Sequence, residues 1–178
     1  MQLVLAGDLA VVREKYIEVI EHTKDMNIHA RWIYGQHPTD TAIRSYIDRQ
    51  EMYLFMDEQN VAGMTAITMY QGEDYHEIPW SQNLNDDEVA SLHLLTVMPE
   101  YQGKGVSKRL MEAIISLVME KGKKAIRLDA LASNIPAQHM YEKLGFEYRG
   151  KQNLYAENTG WTDFLYYELP LSRELEKE

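Results

Sequence analysis

Apolar residues recur along the chain at two spacings, and the changes between them mark out the elements. Residues 2–6 form a short apolar run, read as a first strand. Gly7-Asp8 then supplies a turn and a helix cap, and Leu9, Val12, Tyr16 and Ile20 fall at helical spacing through residue 22. A second helix is predicted over 39–49, capped by Thr39 or Asp40, with Ala42, Ile43, Tyr46 and Ile47 on one face. Residues 52–56 and 61–69 read as strands joined by the turn Asp57-Glu58-Gln59-Asn60. The stretch 71–87 is polar, contains Pro79 and Trp80, and is long for a connection, a length usually associated with function.

The second half alternates more regularly. A Leu- and Val-rich strand is predicted over 89–97, halted by Pro99, followed by a helix over 106–121 with Gly122 past its end. Ile126, Leu128 and Ala130 alternate as in a strand. A short helix follows over 136–144, with proline in its first turn and Gly145 after its last. Two further strands are expected at 146–152 and 162–169, the latter as an edge strand available for pairing across a homodimer. The charged tail, 172–178, is expected to fray. This order of elements predicts a mixed α/β sheet in a single domain over residues 1–178.

Composition narrows the chemistry. The 178 residues are 45% hydrophobic and 26% charged, within the globular range. With no cysteine, disulfides, thiolate metal sites and a cysteine acyl-enzyme are excluded. A net charge of −10 argues against a nucleic-acid backbone as partner. The chain shows no targeting pattern and no apolar run of membrane-spanning length, so a soluble, cytoplasmic protein is expected. The six histidines show no metal-ligand spacing, and no metal is expected.

The most informative segment runs from Leu95 to Leu110, LTVMPEYQGKGVSKRL: a strand ends, a loop holds Gly103 and Gly105, and an amphipathic helix starts at once. Unpaired amides at a helix N-terminus attract anions, and glycines allow close backbone approach, so the loop suits a pyrophosphate. A Walker loop is excluded because Gly103-Lys104 is followed by Gly105. The dinucleotide fingerprint fails at Lys108, where a third glycine is needed. An ordinary glycine turn capping a core helix remains the plain alternative.

Gln102-x-x-Gly105-x-Ser107, preceded by Leu95-x-Val97-x-Pro99, resembles the coenzyme A loop of the GNAT superfamily of N-acetyltransferases. Some 30 residues on, Asn134-Ile-Pro-Ala-Gln-His-Met-Tyr141-Glu-Lys-Leu-Gly-Phe146 resembles that superfamily's second signature. Ser107 departs from the Gly or Ala usual at its position. The resemblance implies a mixed, mostly antiparallel sheet of six to seven strands flanked by about four helices, splayed between its fourth and fifth strands. It implies acetyl-CoA as cosubstrate and a small-molecule or peptide amine as acceptor, attacked directly in a ternary complex.

By the same resemblance, the backbone of Gly103, Lys104, Gly105, Val106, Ser107 and Lys108 holds the pyrophosphate, with Gln102 opening the turn. Leu95 polarises the thioester carbonyl, Val97 pairs with the pantetheine arm, and Asn134 and Ala137 complete the coenzyme site. Tyr141 is the expected acid for the departing thiolate, against the alternative of a core tyrosine. His93 is the expected base, with Glu88 and Asp129 as alternatives acting through water. Trp32, Tyr34, Tyr75 and Trp80 are candidate walls of the acceptor pocket, a core role fitting equally well. The rival function is a noncatalytic acyl-CoA-binding regulatory domain of the same fold.

Overall fold

The computed structural model describes residues 1–171. The frayed tail expected at 172–178 lies outside the described residues. Seven strands form one sheet: β1 (Gln2–Leu5), β2 (Met52–Asp57), β3 (Asn60–Thr68), β4 (Val89–Val97), β5 (Ala125–Leu131), β6 (Glu147–Ala156) and β7 (Gly160–Pro170). Four α-helices accompany them: α1 (Leu9–His22), α2 (Asp40–Asp48), α3 (Val106–Glu120) and α4 (Ile135–Lys143).

The helices start where side chains satisfy their first amides. Asp8 accepts from the Ala10 amide (2.8 Å), Thr39 from Ala42 (3.1 Å), and Asn134 from Ala137 (3.3 Å). The sheet order is β1-β2-β3-β4-β5-β7-β6, antiparallel throughout except for β4 and β5. The strand expected at an edge, 162–169, is therefore internal. The hairpin of β6 and β7 folds so that β7 pairs with β5 along its length, and β1 and β6 are the edges. The route to a dimer through that strand is closed, because both its sides are hydrogen-bonded.

Two layers cover the sheet unequally. On one face α3 and α4 bury a continuous core that includes Leu92, Leu110, Ile114, Ile126, Leu128 and Tyr141. On the other face α1 and α2 cover β2–β4 with Val12, Tyr16, Ile43 and Met64. The β5–β7 half of that face carries a separate cluster of Tyr75, Ile78 and Tyr166, supplied by the long segment between β3 and β4. That segment holds two short 3-10 turns, Glu73–Tyr75 and Asp86–Glu88. It is fixed by Arg127, a fully buried side chain that bonds Glu168 (2.8 Å), Gln71 (2.9 Å) and the Gln82 carbonyl (2.9 Å). A buried charge costs several kcal/mol unless paired and bonded, and this network satisfies both requirements.

Among the described residues no helix is long and apolar enough to cross a membrane.

Candidate active site

The parallel contact between β4 and β5 is only three pairs long, Val89 to Ser91 against Ala125 to Arg127. Beyond it the strands part, and a cleft of about 770 Å³ opens between Leu92–Val97 and Asp129–Leu131. A β-bulge in β4 shapes one wall. The register with β3 runs from Met64↔Thr96 to Ala66↔His93, so Leu94 and Leu95 are left out of it. Leu94 takes a positive φ of 55°, and its carbonyl accepts from the buried Tyr16 hydroxyl at 2.8 Å, which holds the bulge in place.

At one end of the cleft lie Gln102, Gly103, Gly105, Val106 and Ser107. Gly103 and Gly105 have φ of 74° and 76°, where side chains are disfavoured, and space is open around both. Gly105 caps α3 through its backbone alone. The first amides of α3 have no intrahelical partner and are not covered by a side-chain cap. The cradle suits a pyrophosphate: open, electropositive and lined by backbone. Lys104 and Lys108 are exposed outside the cleft lining. Asn134 and Ala137 line the cleft together, with Oδ1 of Asn134 committed to capping α4.

Asp129 and Tyr141 face the gap from opposite layers. Alternation along β5 directs Leu128 and Ala130 to the α3/α4 core and Asp129 to the other face, while Tyr141 projects from α4 on the core side. Burial, with a contribution from Asp129, pushes the Tyr141 phenol well above its ordinary range, so it holds its proton throughout the physiological range. Burial raises the Asp129 carboxyl to about 6; Asp74 reinforces the rise, and a 2.7 Å hydrogen bond from Tyr75 opposes it. His93 stacks on Tyr46 of α2 with ring centres 5.9 Å apart, and burial, with a smaller push from His37, lowers it to about 4. At neutral pH His93 is an uncharged ring and a poor proton acceptor.

The structure brings most of the expected residues together: Leu95, Val97, His93, Trp32, Asn134, Ala137 and Tyr141 line the cleft along with the glycine loop. Three expected walls are not part of that lining. Tyr75 is buried with Trp80 stacked on it at 5.8 Å, behind β5 and β7. Tyr34 bonds Asp40 (2.6 Å), which is clamped by Arg13 between α1 and α2. Glu88 sits at the foot of β4, bonded to Lys124 at 2.6 Å, outside the lining. The cleft instead gains His29, His37 and Tyr46. Tyr46 lies on the apolar face of α2, the available sign that it points inward; the histidines carry no such signal.

The segment joining α1 to α2 lines the cleft on the α1/α2 face and is tied on the far side of the gap. Ser133 Oγ donates to the His29 carbonyl (2.9 Å) and Asn158 Nδ2 to the Arg31 carbonyl (2.9 Å). Among the described residues no group of three His, Asp or Glu side chains is placed to hold a metal.

Comparison with known proteins places this geometry. The sequence profile of the acetyltransferase (GNAT) family matches residues 18–146. The [ribosomal protein bS18]-alanine N-acetyltransferase of Escherichia coli K12 is 34% identical over 84 residues, 47% of this chain and 57% of that enzyme. The chain thus spans little more than half the length of that relative. Among solved structures, the Salmonella typhimurium protein yncA, determined with its cofactor acetyl-CoA, superposes with a TM-score of 0.68 at 17% identity, over 100% of this chain and 98% of that one. The ribosomal-protein-S18-alanine N-acetyltransferase of Escherichia coli superposes with a TM-score of 0.65 at 18% identity, over 99% and 97%. With a family profile covering most of its length and the splayed sheet in place, the chain belongs to the GNAT family of acetyltransferases.

Proposed function

We propose that the protein transfers the acetyl group of acetyl-CoA to a primary amine, by direct attack in a ternary complex. The observation that carries this reading is the placement of Asp129 and Tyr141 on opposite faces of one backbone gap. The gap separates an acceptor side from a coenzyme side and leaves a passage between them. The amides of the Gly103–Ser107 loop would hold the pyrophosphate, and Val97 and Asn134 the pantetheine arm. Acetyl-CoA supplies an activated acyl group, and the amide of Leu95, at the bulge, would polarise its carbonyl.

An amine arrives protonated and must lose a proton before it attacks. Asp129, at about 6, is better matched to that task at neutral pH than His93 at about 4. The same figure bears on the acceptor. An α-amine, with a pKa near 8, lies roughly two units above Asp129, while an alkyl amine such as a lysine side chain lies roughly four above. The base therefore favours α-amines, and with relatives that act on a ribosomal-protein alanine, the N-terminus of a peptide is the acceptor we propose.

Calorimetric titration with acetyl-CoA tests the coenzyme site, and thiol release over a panel of amines and N-terminal alanine peptides tests transfer. Coenzyme binding with turnover of α-amine peptides is the expected result. Binding without turnover on any amine would favour a noncatalytic acyl-CoA-binding domain, and absence of binding would overturn the reading altogether. Asp129→Asn is expected to lower kcat/KM by about 10² and to remove the acid limb near pH 6. The sign follows from the base having to be unprotonated: activity in the parent protein rises with pH through that midpoint.

A further inference from the structure

We propose that Tyr75 is a positioning residue for the acetyl transfer: its buried hydroxyl holds one oxygen of Asp129 so that the other faces the acceptor amine. The inference rests on the assignment of Asp129 as base. Tyr75 and Asp129 are 54 positions apart, yet the hydroxyl donates to Oδ2 at 2.7 Å. Among the described residues Oδ1 has no bonded partner and is left to the cleft that Asp129 lines.

The donor is held rigidly. The Tyr75 ring is stacked on Trp80, with planes 13° apart, and meets Tyr166 edge-on at 5.2 Å. Trp80 is fixed in turn by its indole N–H to the Tyr75 carbonyl (2.7 Å) and by the Arg127 guanidinium 4.4 Å over its ring. Arg127 lies two residues before Asp129 on the same face of β5 and clamps the ends of the long segment through Gln71 and Gln82. The strand that carries the base thus also carries the anchor for the base's donor.

Other groups face Asp129 without bonding it. They are Asp74 from the same segment, Tyr46 from α2, Tyr141 from α4 and Tyr166 from β7, with His93 of β4 in the same cleft. Among the described residues no cation bonds it, and the nearby Arg127 is committed to Glu168. The Tyr75 hydrogen bond is therefore the one direct stabiliser of the carboxylate among the described residues, and Asp74 acts against it.

The test is a carboxyl carbon-13 NMR titration of the free protein, with Asp129→Asn used for assignment, beside the pH profile of kcat/KM on an N-terminal alanine peptide. Tyr75→Phe keeps the ring and removes the donor. It is expected to move the Asp129 midpoint up by about one pH unit, and the acid limb by the same amount. Asp74→Asn, at an exposed position, is expected to move both downward. In the unmutated protein the Tyr75 ring-carbon resonance beside the hydroxyl should titrate with the Asp129 midpoint, a reading that needs no variant to fold. An unmoved midpoint in Tyr75→Phe, or a Tyr75 resonance indifferent to Asp129, would return Tyr75 to a packing role. Full activity in Asp129→Asn would instead remove the base assignment, whatever the NMR midpoints show.

Discussion

Tyr141→Phe is expected to lower kcat by about 10²–10³ while leaving acetyl-CoA affinity within about twofold. The ring is packed against Phe146 and Tyr167, at centroid distances of 5.7 and 6.0 Å, and phenylalanine keeps those contacts. What disappears is one hydroxyl facing the gap. Its raised pKa decides how it acts: a phenol held well above the range of a thiol does not surrender its proton outright to a departing thiolate. In the proposed transfer it would instead donate a hydrogen bond to the sulfur as charge develops there, and a buried donor of that kind carries the stated magnitude. Stopped-flow thiol release with a calorimetric affinity for acetyl-CoA separates the two quantities. Unchanged kcat would place Tyr141 in the core alone.

Gly105→Glu is expected to weaken acetyl-CoA binding by about 10³ or more. The position has a φ of 76° and caps α3 without a side chain, so any substituent meets backbone strain and stands beside the uncapped first amides of α3. A carboxylate there opposes the pyrophosphate directly, and like-charge juxtaposition at an interface costs several kcal/mol. Gly105→Ala carries the strain without the charge and is expected to stay within about tenfold of the parent. Equal losses in both variants would mean that loop conformation, not charge, accounts for the effect. Unchanged affinity in Gly105→Glu would remove the coenzyme from this loop.

Much of the frame was legible from local pattern. Helix α1, strand β4 and the start of α3 coincide with the periodicity of residues 9–22, 89–97 and 106–121, because caps and glycines mark their ends. The glycine loop on which the coenzyme reading rests was equally legible, since a glycine loop opening a helix is a contiguous signal. The proposed acceptor side was not. Tyr75 and Trp80 look like pocket walls in sequence because an aromatic residue in a long polar loop reads the same whether it faces a cavity or a sheet. Their placement depends on Arg127, more than 40 residues away, binding the loop from below. The proposal of Asp129 rather than His93 as base has a similar origin: the tertiary surroundings depress the histidine and elevate the carboxyl, and neither effect leaves a trace in local spacing. The strand at 162–169 reads as an edge in the sequence, yet the sheet takes it up between β5 and β6.

The brevity of the β4–β5 contact bears on how the protein breathes. Three residue pairs are all the strand pairing that joins one half-sheet to the other; the rest of the junction is apolar packing beneath α3 and α4 and side-chain bonds such as those of Arg127, Tyr75 and Ser133 to the segments opposite. Parting of these halves is the sheet opening that breaks the fewest backbone bonds, so it is a natural local-unfolding event of the native state. A ligand lying across the gap binds only the closed arrangement, and at a hundredfold excess over Kd it adds about 2.7 kcal/mol against opening. Amide exchange at Leu92 to Val97 and Leu128 to Leu131 is therefore expected to slow when acetyl-CoA is added, while amides shared by β2 and β3 stay as they were. The coenzyme, on this account, acts as the missing strand that makes two half-sheets exchange as one.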